Sequence, residues 1–198
     1  YSFLTAWQTQ PIIRVRKGSY LFTFFINIAA GVGRKCSMEG KRLTSYAMEE
    51  LECPKCGHKH SLKKYKVINV TEKAKLKEEI MKNRLYQFSC EECEYMAPLT
   101  YDSLYVDSQR NIMIYMAPVM NAEIKAEIAE LEQEKGIDKR LVDNINDLKE
   151  KIMIADNHLD DRVIEIIKIM YIDQMKKEME DDTLLNILFD YNRDNYCF

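Results

Sequence analysis

"CPKCGHKH", residues 53–60, and "CEEC", residues 90–93, hold four of the six cysteines of the 198-residue chain. Both pairs have the spacing C-x-x-C, and 33 residues separate them. One such turn can supply two thiolates to a metal ion, and two turns complete the tetrahedral set that structural zinc takes. The spacing therefore predicts a fold in which two distant turns meet at one structural zinc ion. The candidate ligands are Cys53, Cys56, Cys90 and Cys93.

The two turns are not equally well suited to this role. Pro54 fixes φ inside the first turn, and Gly57 tolerates the positive φ that lets the backbone curl around an ion. Glu91 and Glu94 stand at the corresponding positions of the second turn. A left-handed Glu94 would cost about 1–2 kcal/mol. That strain is small beside the roughly 10–16 kcal/mol that structural zinc contributes in small peptides.

The four thiols have three other interpretations. The first pair alone could be a dithiol redox centre, the cysteines could be buried without a ligand, or the same cage could hold iron. A redox centre needs only one pair, which favours a metal, and the choice between zinc and iron stays open. A site filled by four thiolates has no open coordination position, so we do not expect an enzyme that uses this metal.

The histidines near these motifs carry weaker signals. His58 and His60 follow the first pair and could replace a cysteine as a ligand, but we expect both to face solvent in a basic loop. His158 lies in an acidic stretch, "DNHLDDR". Acids at a helix start are favoured by the helix dipole, so capping explains that stretch better than acid–base chemistry. The lone thiol of Cys197 supports no inference.

The charge distribution bears on possible partners. With 46% hydrophobic and 31% charged residues, the composition is that of a soluble globular protein. Residues 52–84 hold ten basic residues against four acidic, whereas residues 121–198 hold eleven against twenty. An acidic chain is a poor general binder of phosphate backbone. A basic insert remains as a candidate nucleic-acid surface, formed by Lys63, Lys64, Lys66, Lys73, Lys75 and Lys77.

Residues 1–37 differ from the rest. They contain no acidic residue, and their apolar run "YLFTFFINIAAGVG", residues 20–33, is short for a membrane helix but suits a signal peptide. Upstream read-through or a truncated start, a secretion or anchoring signal, and a packed element are the three interpretations. We expect residues 1–37 to lie outside the domain. From Met38 onwards we expect a cytoplasmic protein without a membrane segment.

Hydrophobic periodicity predicts the elements around the cysteines. Residues 61–70 alternate as a strand with one wet face, and residues 71–85 are typical of a helix capped by Asn69 or Thr71. A short strand, "YQFSC", follows, and two more lie in "EYMAPLTYDSLYVD" and "NIMIYMAP". The second cysteine pair is therefore delivered by a strand.

The C-terminal half has helical periodicity. One helix runs from Asn121 to a closing Gly136, a second opens at Asp138, and a third begins near residues 159–161. "LLNILFDY", residues 184–191, is typical of a last strand or an apolar tail. The overall prediction is an α+β protein: a zinc-ribbon-like antiparallel β domain with a helical insert between the knuckles, packed with C-terminal helices.

The domain limits follow from these elements. Residues 38–118 are expected to form the zinc-ribbon-like β domain. Residues 119–198 are expected to form a helical region with a terminal strand, in one domain with the first or separate from it.

Taken together, the two pairs, "LYVDSQRNIMIYMAP" and the helical segments resemble the CpXC family over roughly residues 50–175. That resemblance implies a bacterial or archaeal protein that binds metal through its four cysteines and has no assigned activity. Glu91 and Glu94 depart from the pattern. The expected function is a non-enzymatic module that binds another protein; the alternatives are a nucleic-acid-binding zinc ribbon and a thiol redox protein.

Overall fold

A computed structural model describes residues 42–179, 187–192 and 195–197 of the chain. The expectations for residues 1–37 and for residues 184–186 lie outside this range. The described residues fall into two compact units, one ending at Ile152 and the other beginning at Met153. None of the described helices is both long enough and apolar enough to cross a bilayer.

The described residues contain four α-helices and nine strands, which confirms the α+β class. In chain order the elements are β1 (Ser45–Glu52), β2 (Lys59–Asn69), α1 (Lys75–Met81), a 3₁₀ turn (Arg84–Tyr86), β3 (Gln87–Ser89), β4 (Met96–Pro98), β5 (Ser103–Asp107), β6 (Ile112–Met116), α2 (Ala122–Glu132), β7 (Asp138–Val142), α3 (Ile145–Asp156), α4 (Asp161–Met179), β8 (Asp190–Asn192) and β9 (Asn195–Cys197). The predicted strands around the cysteines and the predicted helix between the pairs are therefore present.

The main sheet is mixed, so the prediction of an antiparallel domain is wrong in part. Its strand order is β1-β2-β5-β6-β7. The pairs β1–β2 and β5–β6 are antiparallel, whereas β2–β5 and β6–β7 are parallel. Parallel neighbours need a long crossover connection. The segment holding α1 and the β3–β4 hairpin makes the first crossover, and α2 makes the second.

The core of the first unit lies on both faces of this sheet. On one face, α2 packs Ile124 and Leu131 against alternate residues of β5 and β6. The residues between them in sequence, such as Tyr105 and Ile114, are also buried, at 1% and 0% exposure. Burial on both faces explains why β5 and β6 are buried throughout and mostly apolar, with Ser103 and Asp107 as the polar residues at the two ends of β5. The hairpin that β1 forms with β2 is joined to these buried strands through β5.

The second predicted helix begins later than expected. Residues 138–142 form β7, in which Leu141 pairs with Tyr115 of β6. The helix α3 begins at Ile145 instead, and the Asn144 side chain accepts hydrogen bonds from the backbone N–H groups of residues 146 and 147, at 2.9 and 3.0 Å. Asn144 therefore caps α3. The helical spacing from Leu141 onwards is overridden by pairing with the sheet.

The predicted ends of two helices also need correction. The Asn69 side chain accepts from the N–H groups of residues 71 and 72, at 3.0 and 3.2 Å, and so closes the turn after β2 rather than capping α1. That helix begins at Lys75 without a side-chain cap. Likewise α2 ends at Glu132, whereas Gly136, with φ 79°, turns the chain into β7.

In the second unit, α4 confirms the third predicted helix. The described part of the predicted apolar tail is buried, because Ile187 and Phe189 are each 1% exposed. Phe189 packs with Ile154 and Ile164. Ile187 and Phe189 therefore belong to the core of this unit.

Candidate metal centre

Two hairpins present the two cysteine pairs. Cys53 and Cys56 lie in the turn that joins β1 to β2, where Glu52 pairs with Lys59. The second pair lies in the turn that joins β3 to β4, in which residues 89 and 96 are partners. Each pair is thus held at the tip of an antiparallel ribbon, where closely spaced side chains can point to one centre.

The first turn is closed by two backbone hydrogen bonds. The N–H of Gly57 donates to the carbonyl of Cys53 at 2.9 Å, and the N–H of Cys53 donates to the carbonyl of His58 at 2.8 Å. Gly57 has φ 73°, the conformation that its sequence position predicted.

The second turn has the same bonds. The N–H of Glu94 donates to the carbonyl of Cys90 at 3.0 Å, and the N–H of Cys90 donates to the carbonyl of Tyr95 at 2.8 Å. Glu94 has φ 55°, so it adopts the left-handed conformation in place of a glycine. The strain expected at this residue, about 1–2 kcal/mol, is therefore built into the site.

The four sulfur atoms come together in one group. All four lie within 4.8 Å of one another. Two contacts between sulfur atoms join one turn to the other, with Cys53 Sγ 3.6 Å from Cys93 Sγ and Cys56 Sγ 3.5 Å from Cys90 Sγ. A zinc ion with bonds of about 2.3 Å would place its ligands about 3.8 Å apart in a tetrahedron. The thiols therefore fit a tetrahedral metal ion and could hold one.

A small apolar cluster supports the thiols. Cys53 and Cys90 are each 1% exposed, while Cys56 is exposed and Cys93 is half-buried. Apolar side chains from both hairpins pack around the two buried thiols; they are Leu51, Leu62, Phe88, Tyr95 and Leu99. One side of the site is thus buried and the other is open to solvent.

Hydrogen bonds tune the thiols. Burial raises the pKa of the Cys53 thiol, but backbone N–H groups of Cys56 and Lys55 outweigh it and lower that pKa to about 7. For Cys93, burial is the main cause of a raised pKa. A redox interpretation needs a thiol that is both exposed and low in pKa, whereas Cys53, with the lowered pKa, is 1% exposed and the exposed Cys56 has a raised pKa.

His60 is closer to the site than predicted. Its Nε2 lies 3.2 Å from Cys90 Sγ, so the prediction that it faces solvent is wrong. The cause is the strand: β2 begins at Lys59, and its alternation puts His60 on the same face as Leu62. His58 is exposed, as predicted.

The acidic stretch around His158 belongs to the start of α4. The side chain of Asp160 accepts a hydrogen bond from the backbone N–H of Arg162 at 3.0 Å. This agrees with the capping interpretation of the sequence. The side chain of Cys197 lies outside the described residues.

Comparison with known proteins identifies the family. A family model described as CpXC protein matches residues 51–168, which is more than half of the chain and includes both cysteine pairs. The chain belongs to the CpXC family. The resemblance expected from the sequence is thereby confirmed. No curated protein and no solved structure matches the chain.

Proposed function

We propose that this CpXC protein is a non-enzymatic module that binds another protein, with its two hairpins fastened by a structural zinc ion. The observation that supports it most strongly is the convergence of four thiols from two separate turns within 4.8 Å. The ligands of the ion are Cys53, Cys56, Cys90 and Cys93. Two hairpins that each present a cysteine pair form a zinc-ribbon-like arrangement.

A structural role follows from the donor set. With four thiolates bound, the ion has no position left for water or substrate, so it neither activates water nor polarises a carbonyl. It supplies cohesion instead, because the second hairpin, whose strands have three residues each, gains a cross-link to the longer first hairpin. Thiols kept for a metal need a reducing compartment, which favours the cytoplasm.

The surface proposed for the partner lies on α4. Val163, Ile166 and Met170 recur at intervals of three and four residues and are 50%, 57% and 65% exposed. Ile169, at 58%, widens this stripe. An amphipathic helix buries such a stripe against another surface, and a hydrophobic groove of a partner protein is the matching shape.

The basic insert is less suited to nucleic acid than its sequence suggested. Lys64 pairs with Glu49 at 2.6 Å, and Lys77 contacts the buried carboxylate of Asp107 at 3.4 Å. Neutralised lysines release fewer counterions from a phosphate backbone, so the electrostatic gain on binding falls. Nucleic-acid binding is therefore retained as an outcome of the test below and not as a second proposal.

Metal analysis tests the zinc site. Mass spectrometry of the full chain should find one equivalent of zinc, and a substoichiometric or absent metal contradicts the proposal. Iron in the cage would give iron by mass and a visible absorption band that zinc lacks. Either substitution, Cys53→Ser or Cys90→Ser, should abolish binding.

A matched pair of double variants tests the docking surface. Ile166→Lys with Met170→Lys places two charges in the stripe, and Ala126→Lys with Ala129→Lys adds the same charge on exposed positions of α2. The tagged wild-type chain and the α2 variant should retain a protein partner that the α4 variant loses, with unchanged circular dichroism. A partner retained by all three contradicts the surface. Bound nucleic acid that leaves as salt rises supports the alternative.

A further inference from the structure

His60 joins the two hairpins at the thiol cluster. It is a residue of β2, in the first hairpin, whereas the sulfur it contacts at 3.2 Å belongs to Cys90 in the turn of the second hairpin. Because of this contact, an imidazole nitrogen lies beside the group of four sulfur atoms.

The imidazole ring is oriented from two sides. It meets the ring of Phe88 edge to face, with centroids 5.4 Å apart and planes at 83°. On another side the ring of His58 lies 5.0 Å away. Phe88 is itself 4% exposed and packed against the thiols, so it anchors the imidazole in the apolar cluster.

The chemistry of the pair fixes the direction of the hydrogen bond. A metal-bound thiolate carries no hydrogen and only accepts, so the proton must lie on Nε2 of the imidazole. Such a donor fixes the position of the sulfur and offsets part of its negative charge, as outer-shell partners of metal ligands do. We propose that His60 is a positioning residue of the metal centre, donating its Nε2–H to the Cys90 thiolate.

This inference rests on the proposed zinc site, and two substitutions separate the donor from the ring. His60→Phe keeps the ring that packs on Phe88 but removes the N–H group. His60→Gln loses the ring but offers an amide N–H at about the reach of Nε2. His58→Phe changes the neighbouring exposed ring and serves as the control.

Competition with a colorimetric zinc chelator, on the full chain, measures the outcome. We expect His60→Phe to weaken zinc binding by about 10- to 100-fold. His60→Gln should restore most of the affinity, and His58→Phe should match the wild type. The reverse order, a harmless His60→Phe and a weakened His60→Gln, assigns the residue to ring packing and overturns the proposal. Equal affinity in all variants also overturns it.

Cobalt substitution tells a donor from a ligand. If His60 donates to Cys90, the wild type and His60→Gln show the same charge-transfer intensity, that of four thiolates. A wild-type spectrum of three thiolates and one nitrogen makes His60 a ligand and overturns the donor role. If the wild-type chain retains no metal, both the zinc site and the role of His60 are overturned. If His60→Phe retains metal as well as the wild type does, only the role of His60 is overturned.

Discussion

The turn after β1 and the turn after β3 have matching backbone hydrogen bonds, although their sequences, "CPKCG" and "CEECE", share only the two cysteines. In each, the N–H of the fifth residue donates to the carbonyl of the first, and that fifth residue has a positive φ. Gly57 adopts this conformation without strain, whereas Glu94 does not. The difference teaches that the cysteine spacing, and not the glycine, is what the two turns have in common.

The charges of the two turns are also complementary. The first carries Lys55, whose Nζ lies 3.4 Å from the carbonyl of Cys93 in the second. The second carries three glutamates, at positions 91, 92 and 94. Four thiolates around a divalent ion leave two negative charges, so the basic turn offsets what the acidic turn adds.

Removing one thiol has the largest expected effect on metal binding. It tests whether the two turns bind the same ion. Cys53→Ser and Cys90→Ser should each reduce bound zinc to background, since structural zinc contributes roughly 10–16 kcal/mol in small peptides. Metal content and the unfolding transition, with and without chelator, measure the loss. Cys197→Ser is the thiol-matched control and should keep the metal. Loss with Cys53→Ser alone would mean that the first turn acts without the second.

Phe88→Ala tests the apolar support of the second hairpin. We expect the zinc-loaded chain to lose about 3–5 kcal/mol of unfolding free energy, because a buried phenylalanine against the thiols is replaced by a cavity. Denaturant titration measures it. Met96→Ala, in the same hairpin and 63% exposed, should stay within about 0.5 kcal/mol. Equal effects of the two substitutions would contradict the packing role of Phe88.

Substituting the residue with positive φ in each turn compares the two turns directly. Gly57→Ala should destabilise by about 1–2 kcal/mol, because a Cβ there meets only Glu52 Oε1, at 3.6 Å, and the backbone conformation alone causes the loss. Glu94→Gly should stabilise by about 1 kcal/mol or less, since glycine also favours the unfolded chain. Denaturation midpoints of the zinc-loaded variants measure both. A stabilising Gly57→Ala would show that the turns are not equivalent.

Lys55→Gln has the smallest expected effect. Its contact with the second turn is exposed, so we expect a loss under about 1 kcal/mol that shrinks as salt is added. Zinc affinity at low and high ionic strength measures it. Lys59→Gln removes the same charge from the first hairpin and is the matched control. A loss that does not depend on salt would point to the hydrogen bond alone.

The cysteine turns and most of β2 could be predicted because the cysteine spacing and the alternation after Ser61 act over a few residues each, whereas β1 was not predicted. The position of His60 beside the thiols was not predicted, because the predicted strand begins at Ser61. A strand that begins one residue earlier places His60 on the same face as Leu62. Extending that strand to Lys59 would have found it. The alternation of β2 therefore contained the signal for His60, and the error lay in the residue at which the strand was predicted to begin.

Other features could not be predicted from local pattern. Residues 138–142 have apolar spacing that continues into α3, and only their pairing with β6 makes them a strand. The parallel neighbours of β2 and β6 are likewise a matter of long-range order. The left-handed Glu94 was anticipated only because the first turn provided a template for the second.

The strand β2 runs from the thiol cluster into the main sheet, and its register with β1 shifts once, at Lys66, because Tyr65 and Val67 pair with the adjacent residues Tyr46 and Ser45. It pairs with β1 from Lys59 onwards, and its last residues, Val67–Asn69, pair with β5. Eleven extended residues measure about 36 Å. Within a segment that has no bulge, a pleated strand cannot slip by one residue without turning every side chain over to the other face. A metal ion bound near one tip would therefore fix the pairing of β2 with β1 from Lys59 to Tyr65, on the near side of the register shift, whereas Ile68, at 0% exposure, lies beyond it.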